Sequence, residues 1–197
     1  MYKRQIVYLG GLGEGKSEHL RSRHETAECL GSTGIPVTYF RAAIVIGSGS
    51  ESLRTIAYLV RRLPAMVTPS WTSTRTQPIA AADVVAYLAA APGVAGSAGR
   101  EIEIGGAEVT TYGGLLDLCA EAQGLRPRPR IAVPVLSPTL SSHWIGLVTP
   151  VDAGVAKPLV EGLTTETVVG DPSGMELFDV EPTPIDVAMR EAVDELF

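Results

Sequence analysis

Charge is scarce in this chain, and what there is leans acidic. Asp, Glu, Lys and Arg make up 19% of the 197 residues, and 16 basic against 22 acidic side chains leave a net charge of -6. Soluble domains average about 25% charged residues. The deficit excludes a disordered, self-repelling chain, and the sign excludes a general electrostatic footprint for nucleic acid or an anionic membrane. Cysteine is nearly absent, with only Cys29 and Cys119. A disulfide scaffold is excluded, and with three histidines there is no zinc-ribbon spacing and no expected metal site. Long apolar runs are missing too. The stretch Ile131–Val151 carries no Asp, Glu, Lys or Arg, but Pro134, Pro138 and Pro150 break it, so it is a poor membrane span. After the basic Met1–Arg4 the apolar run lasts only from Ile6 to Leu9, too short for a secretory leader. A cytoplasmic protein is the expectation.

Glycine and proline are abundant, at 21 and 14 residues. Without a period of three they imply many tight turns rather than collagen. Hydrophobic residues make up 45%, enough for one sizeable core. The pattern alternates strands and helices. Strands are predicted over Gln5–Leu9, Val37–Phe40 with an extension Ile44–Ile46, Glu101–Ile104 and Ile131–Val135. Helices are predicted over Ser17–Leu30, Ser52–Leu63, Ala82–Ala91, Tyr112–Gln123, Val155–Leu163 and Ile185–Leu196. Gln5–Leu9 reads as a strand buried on both faces, and Pro134 puts the last strand at an edge. The fold class is α/β, with a mainly parallel sheet flanked by helices. One domain spans residues 1–171, and 172–197 form a looser C-terminal tail with a short helix.

The first turn has two readings. Gly10-Gly11-Leu12-Gly13-Glu14-Gly15-Lys16-Ser17 fits G-x-x-x-x-G-K-[ST] between a strand and a helix, the setting of a phosphate-binding loop. Its backbone N–H groups would wrap a phosphate, with Lys16 neutralising it and Ser17 holding Mg²⁺. No apolar strand delivers the carboxylate that such a site needs for Mg²⁺.

The second reading uses the whole chain. The segments Ile6–Leu12, Ser17–Arg23, Val37–Gly47, Thr76–Ile79 and Asp83-Val84, in this order, resemble the atypical short-chain dehydrogenase/reductases. More narrowly they resemble the NmrA-like, NAD(P)-binding proteins. In that register Gln5–Leu9 matches the family's fourth strand. The chain then resembles the second half of a Rossmann-type domain, lacking the first strands and the glycine-rich turn that holds the pyrophosphate.

The resemblance implies NAD(P) as cofactor and an oxidoreductase role, in a truncated chain that is not catalytically competent alone. It implies site residues as well. The family's Tyr-x-x-x-Lys pair is replaced by His19-x-x-x-Arg23. His19 is the candidate catalytic residue, able to exchange protons near neutral pH. Arg23 is a candidate ribose contact. Gly10, Gly11 and Leu12 replace the end of the fourth strand, and Arg41, Ala42, Ala43 and Ile44 match the stretch whose backbone meets the nicotinamide.

A non-enzymatic binding or scaffold module is the alternative from another class, and a P-loop nucleotide-binding protein using Gly10–Ser17 is a third. With the preceding strands absent, Gln5–Leu9 would lie open on one side. Self-association, or pairing with a partner chain, through this uncharged strand is the corresponding expectation.

Overall fold

The computed structural model describes residues 5–13, 18–133 and 164–197. A three-stranded parallel sheet forms from β1 (Ile6–Gly11), β2 (Val37–Ala42) and β7 (Glu101–Ile104), in the order β1-β2-β7. Two further parallel pairs join β3 (Val45–Ile46) to β6 (Ile79–Ala80) and β4 (Met66–Pro69) to β9 (Arg130–Val133). One small antiparallel pair joins β5 (Arg75–Thr76) to β8 (Thr110–Thr111). The helices are α1 (Glu18–Gly31), α2 (Glu51–Arg62), α3 (Ala81–Ala90), α4 (Tyr112–Ala122) and α5 (Ile185–Asp194). This is the expected α/β fold with a mainly parallel sheet flanked by helices.

Local chemistry sets the helix limits. Ser50 caps α2 by accepting from the Leu53 N–H, and Thr111 caps α4 by accepting from the Gly114 N–H. Gly124 ends α4 at φ +65°, where the Gly124 N–H donates to Glu121 and the Leu125 N–H to Ala120. Those paired bonds are a Schellman cap, which favours glycine for its positive φ. On α2, Leu53, Ala57 and Val60 share one face and are fully buried.

The core has two parts. One lies between α2, α4 and α5, around Leu53, Leu115, Cys119 and Met189. The other lies on one face of the three-stranded sheet, where Phe40, Ile102 and Ile104 meet Val84 and Tyr87 of α3 and Phe178. The opposite face carries α1 and a polar strip.

Several expectations change. β2 continues through Arg41 and Ala42 instead of breaking there, because both pair with β7 at Glu103 and Ile104. The first strand is half-buried along Ile6–Leu9 rather than covered on both faces, since β1 is an outer strand of its sheet. The tail after Asp171 is firmly packed: Phe178, Ala188, Met189, Ala192 and Val193 are buried core members. Asp83 lies in the first turn of α3. It is 6% exposed and accepts from the backbone N–H and the hydroxyl of Thr183, both at 2.8 Å, fastening that tail. The helix expected over Val155–Leu163 lies outside the described residues, as does Pro134.

Candidate functional site

The candidate residues gather around the carboxyl ends of β1 and β2, the end of a parallel sheet where ligands bind. Gly10 and Gly11 close β1. A Cβ on Gly10 would lie 2.6 Å from the Tyr39 ring and hydroxyl, and one on Gly11 would strike the Leu20 side chain. Both glycines therefore make room for neighbours within the protein. Leu12 follows, 3% exposed, with its N–H bonded to the Ala42 carbonyl at 2.7 Å. Glu14–Ser17 lie outside the described residues, and so does the His19 side chain on α1.

Arg23 reaches back from α1, and its Nη1 donates to the Leu9 carbonyl at 3.2 Å. Tyr8, Gly10, Tyr39, Arg41, Glu101 and Glu103 stand opposite one another on the α1 face of the sheet. Tyr8 stacks on Tyr39 at 5.4 Å. Burial pushes the Tyr39 hydroxyl above its ordinary range, and Arg41 pulls it partly back. Arg41 is the hub. Nη1 pairs with Glu101 at 2.6 Å and lies 3.6 Å from Glu103, while Nη2 donates to Gly13 O at 2.7 Å and Nε to Gly11 O at 3.4 Å. Glu103 also accepts the Gly170 N–H at 2.6 Å and the Asp171 N–H at 3.2 Å.

This network sets one guanidinium against two carboxylates. It anchors the turn after β1 and the segment 164–171 to the sheet. That segment is held again where Thr167 bridges Thr76 and the Val169 N–H donates to Gln77 at 3.1 Å. Ala42 is buried at the end of β2, Ala43 is half-buried, and the Ile44 carbonyl accepts from Ile79 at 3.1 Å.

The sequence reading passed over Glu101, Glu103, Gln77 and Asp83 as site-forming residues. Alternation in Glu101–Ile104 put both glutamates on one face, and only the sheet order shows which arginine they meet. Trp71 packs edge-on against Tyr112 at 6.3 Å, at the margin of the core. In the stretch Arg126–Arg130, Arg128 donates to Val60 O at 3.0 Å and Arg130 forms a two-point pair with Asp117 at 3.0 and 2.7 Å. Among the described residues, no group of three or more His, Cys, Asp or Glu is placed to hold a metal ion. No helix among them is long and apolar enough to cross a membrane.

No known protein-family description matches the chain, and no curated protein sequence is similar to it. Solved structures are similar. A nucleoside-diphosphate-sugar epimerase from Staphylococcus aureus superposes with a TM-score of 0.70 at 17% identity, over 95% of this chain and 64% of that one. An NADPH-dependent quinone oxidoreductase from Escherichia coli, complexed with NADPH, gives 0.68 at 18% identity, over 97% and 65%. A UDP-glucuronic acid 4-epimerase from Bacillus cereus, in complex with UDP-glucuronic acid and NAD, gives 0.64 at 12% identity, over 98% and 61%. The chain thus spans less than two thirds of the length of these neighbours. At such identities the shared property is the fold, the Rossmann-like arrangement of epimerases and reductases.

Proposed function

We propose that the chain corresponds to the C-terminal portion of an NmrA-like, atypical short-chain dehydrogenase/reductase, and that it does not catalyse hydride transfer by itself. In this reading residues 1–171 are a partial NAD(P)-binding domain and 172–197 its C-terminal segment, in a cytoplasmic protein. The superposition on NADPH- and NAD-complexed enzymes supports the NAD(P) connection.

The observation that carries the loss of competence is the packing at the end of β1. A dinucleotide's pyrophosphate needs glycines whose open side faces the ligand, beside a helix N-terminus. Here the open sides of Gly10 and Gly11 face Tyr39 and Leu20. The guanidinium groups of Arg23 and Arg41 bond to protein acceptors. The described residues therefore form no pyrophosphate cradle. In this reading Arg23 and Ala42–Ile44 would meet the ribose or nicotinamide, with His19 as the candidate proton carrier.

Calorimetric titration with NADPH tests this reading. Weak or absent binding is expected, and a micromolar dissociation constant would overturn it. The same titration with Mg·ATP, repeated on Lys16→Ala, tests the phosphate-loop alternative. No hydrolysis and no difference between the two proteins are expected. An ATPase abolished by Lys16→Ala would replace the present reading.

A further inference from the structure

Positive charge is spread unevenly over this acidic chain. Arginines elsewhere pair with carboxylates, as Arg41 does with Glu101, Arg75 with Glu166 and Arg190 with Asp186. Arg61, Arg126 and Arg128 differ. None of the three pairs with a carboxylate among the described residues. All three gather at the carboxyl end of α2, which the loop 126–129 joins on its way into β9.

Two features build this corner. The first is proline. Pro64 has no N–H, so the Val60 carbonyl lacks its donor within the helix. Arg128 supplies one through Nε at 3.0 Å, and the Met66 N–H donates to Pro129 O at 2.9 Å. The loop therefore runs along the end of α2. Arg126 and Arg128 each precede a proline, which turns their backbones away from helix and toward extended conformations. An extended chain sets them about 6–7 Å apart. The second feature is a ladder of rings and guanidinium groups. Arg61 lies over the Phe197 ring at 4.2 Å, Tyr58 meets that ring edge-on at 5.6 Å, and Arg62 lies over Tyr58 at 5.2 Å. Stacking fixes the plane of a guanidinium and leaves its in-plane N–H groups directed outward. Arg61 and Arg126 are exposed, and Phe197 is 51% exposed.

We propose that this corner docks an extended acidic segment of a partner protein, with two carboxylates at alternate positions and an apolar side chain on the same side. Charge complementarity sets the sign, since the corner is cationic on a chain of net charge -6. The spacing of Arg126 and Arg128 equals that of alternate residues in an extended segment. Each guanidinium can take a carboxylate through two parallel N–H groups. The Tyr58–Phe197 pair offers the apolar contact beside them. A compact phosphate fits less well. Phosphate sites use the N–H groups of a helix N-terminus, whereas α2 turns its carbonyl end to this corner. The inference stands independently of the cofactor reading, because none of these residues belongs to the site at β1 and β2.

Fluorescence anisotropy of a dye-labelled Leu-Ser-Glu-Ser-Glu-Ser-Leu peptide, titrated with the full chain at about 20 mM salt, tests it. Binding is expected, weakened at least about tenfold in Arg61→Glu and in Arg126→Glu. Arg21→Glu makes the same change of net charge on α1 and should leave the affinity within about twofold. The peptide with glutamine in place of both glutamates should not bind. No binding by the wild type, or equal weakening by Arg21→Glu, overturns the proposal. So does tighter binding of inorganic phosphate, of phosphatidylserine vesicles or of a single-stranded oligonucleotide. Arg126 has no bonded partner among the described residues, so Arg126→Glu decides alone if Arg61→Glu fails to fold.

Discussion

At the scale of single residues, small size and burial explain more here than reactivity does. Gly10 has no room for a Cβ beside Tyr39, whereas a Cβ on Gly31 meets nothing within 4 Å. Gly10→Ala should therefore destabilise by about 1–3 kcal/mol, the usual cost of overpacking. Gly31→Ala should be neutral or stabilising by up to about 1 kcal/mol, through the unfolded chain. Urea unfolding of both checks the contrast. The cysteines differ in the same way. Cys29 is exposed, while burial pushes the Cys119 thiol up to about 11 from 9.0. The sign of the linkage follows. Below pH 9 both states keep the Cys119 proton; above it the unfolded chain loses that proton first. Stability should fall as pH rises from about 9 to about 11, by at most about 3 kcal/mol. Burial raises Tyr39, Tyr87 and Tyr112 as well, which adds to the loss at still higher pH. Cys119→Ala should flatten the part between pH 9 and 11 in a pH series of denaturant midpoints, and a thiol reagent should label only Cys29 in the folded protein.

At the scale of elements, what was legible followed from periodicity and caps. The apolar spacing of Leu53, Ala57 and Val60 located α2, and Gly124 marked the end of α4. The alternation of Glu101–Ile104 located β7. The short strands Met66–Pro69, Arg75–Thr76 and Thr110–Thr111 were not legible. Two to four residues carry no period, and only pairing with distant partners makes them strands. The candidate site was legible as a location but not as a set of contacts. A sequence shows that Gly10-Gly11 is unusual, yet not that Tyr39 and Leu20 fill the space. The role of Asp83 was not legible, because an acidic residue in a helix's first turn is commonly a local feature. Its actual partner, Thr183, lies 100 residues away. This contact fastens the C-terminal segment, so Asp83→Ala should leave the Thr183 N–H and hydroxyl without their acceptor. Bonds to a charged acceptor contribute about 1.5–3 kcal/mol each, and a total loss of about 3–6 kcal/mol is expected. Thermal unfolding measures it, and faster amide exchange along Ile185–Asp194 would place the loss in α5.

At the scale of the whole molecule, the packing of α5 fixes when the chain can become a folded protein. Met189 is fully buried, Val193 is 4% exposed, and Ser48 meets Glu195 across 147 residues of sequence. Half of the core therefore waits for residues synthesised well after the helices they cover. Local pieces such as α1 with β1 and β2 can form early, but α2 and α4 expose the faces that α5 will cover. Until the chain has been released past Val193 those apolar faces have no cover, and the interval is one in which a nascent chain depends on its surroundings to avoid association. Contacts so distant in sequence also slow the search itself, since the long loops between them must close before the contacts form.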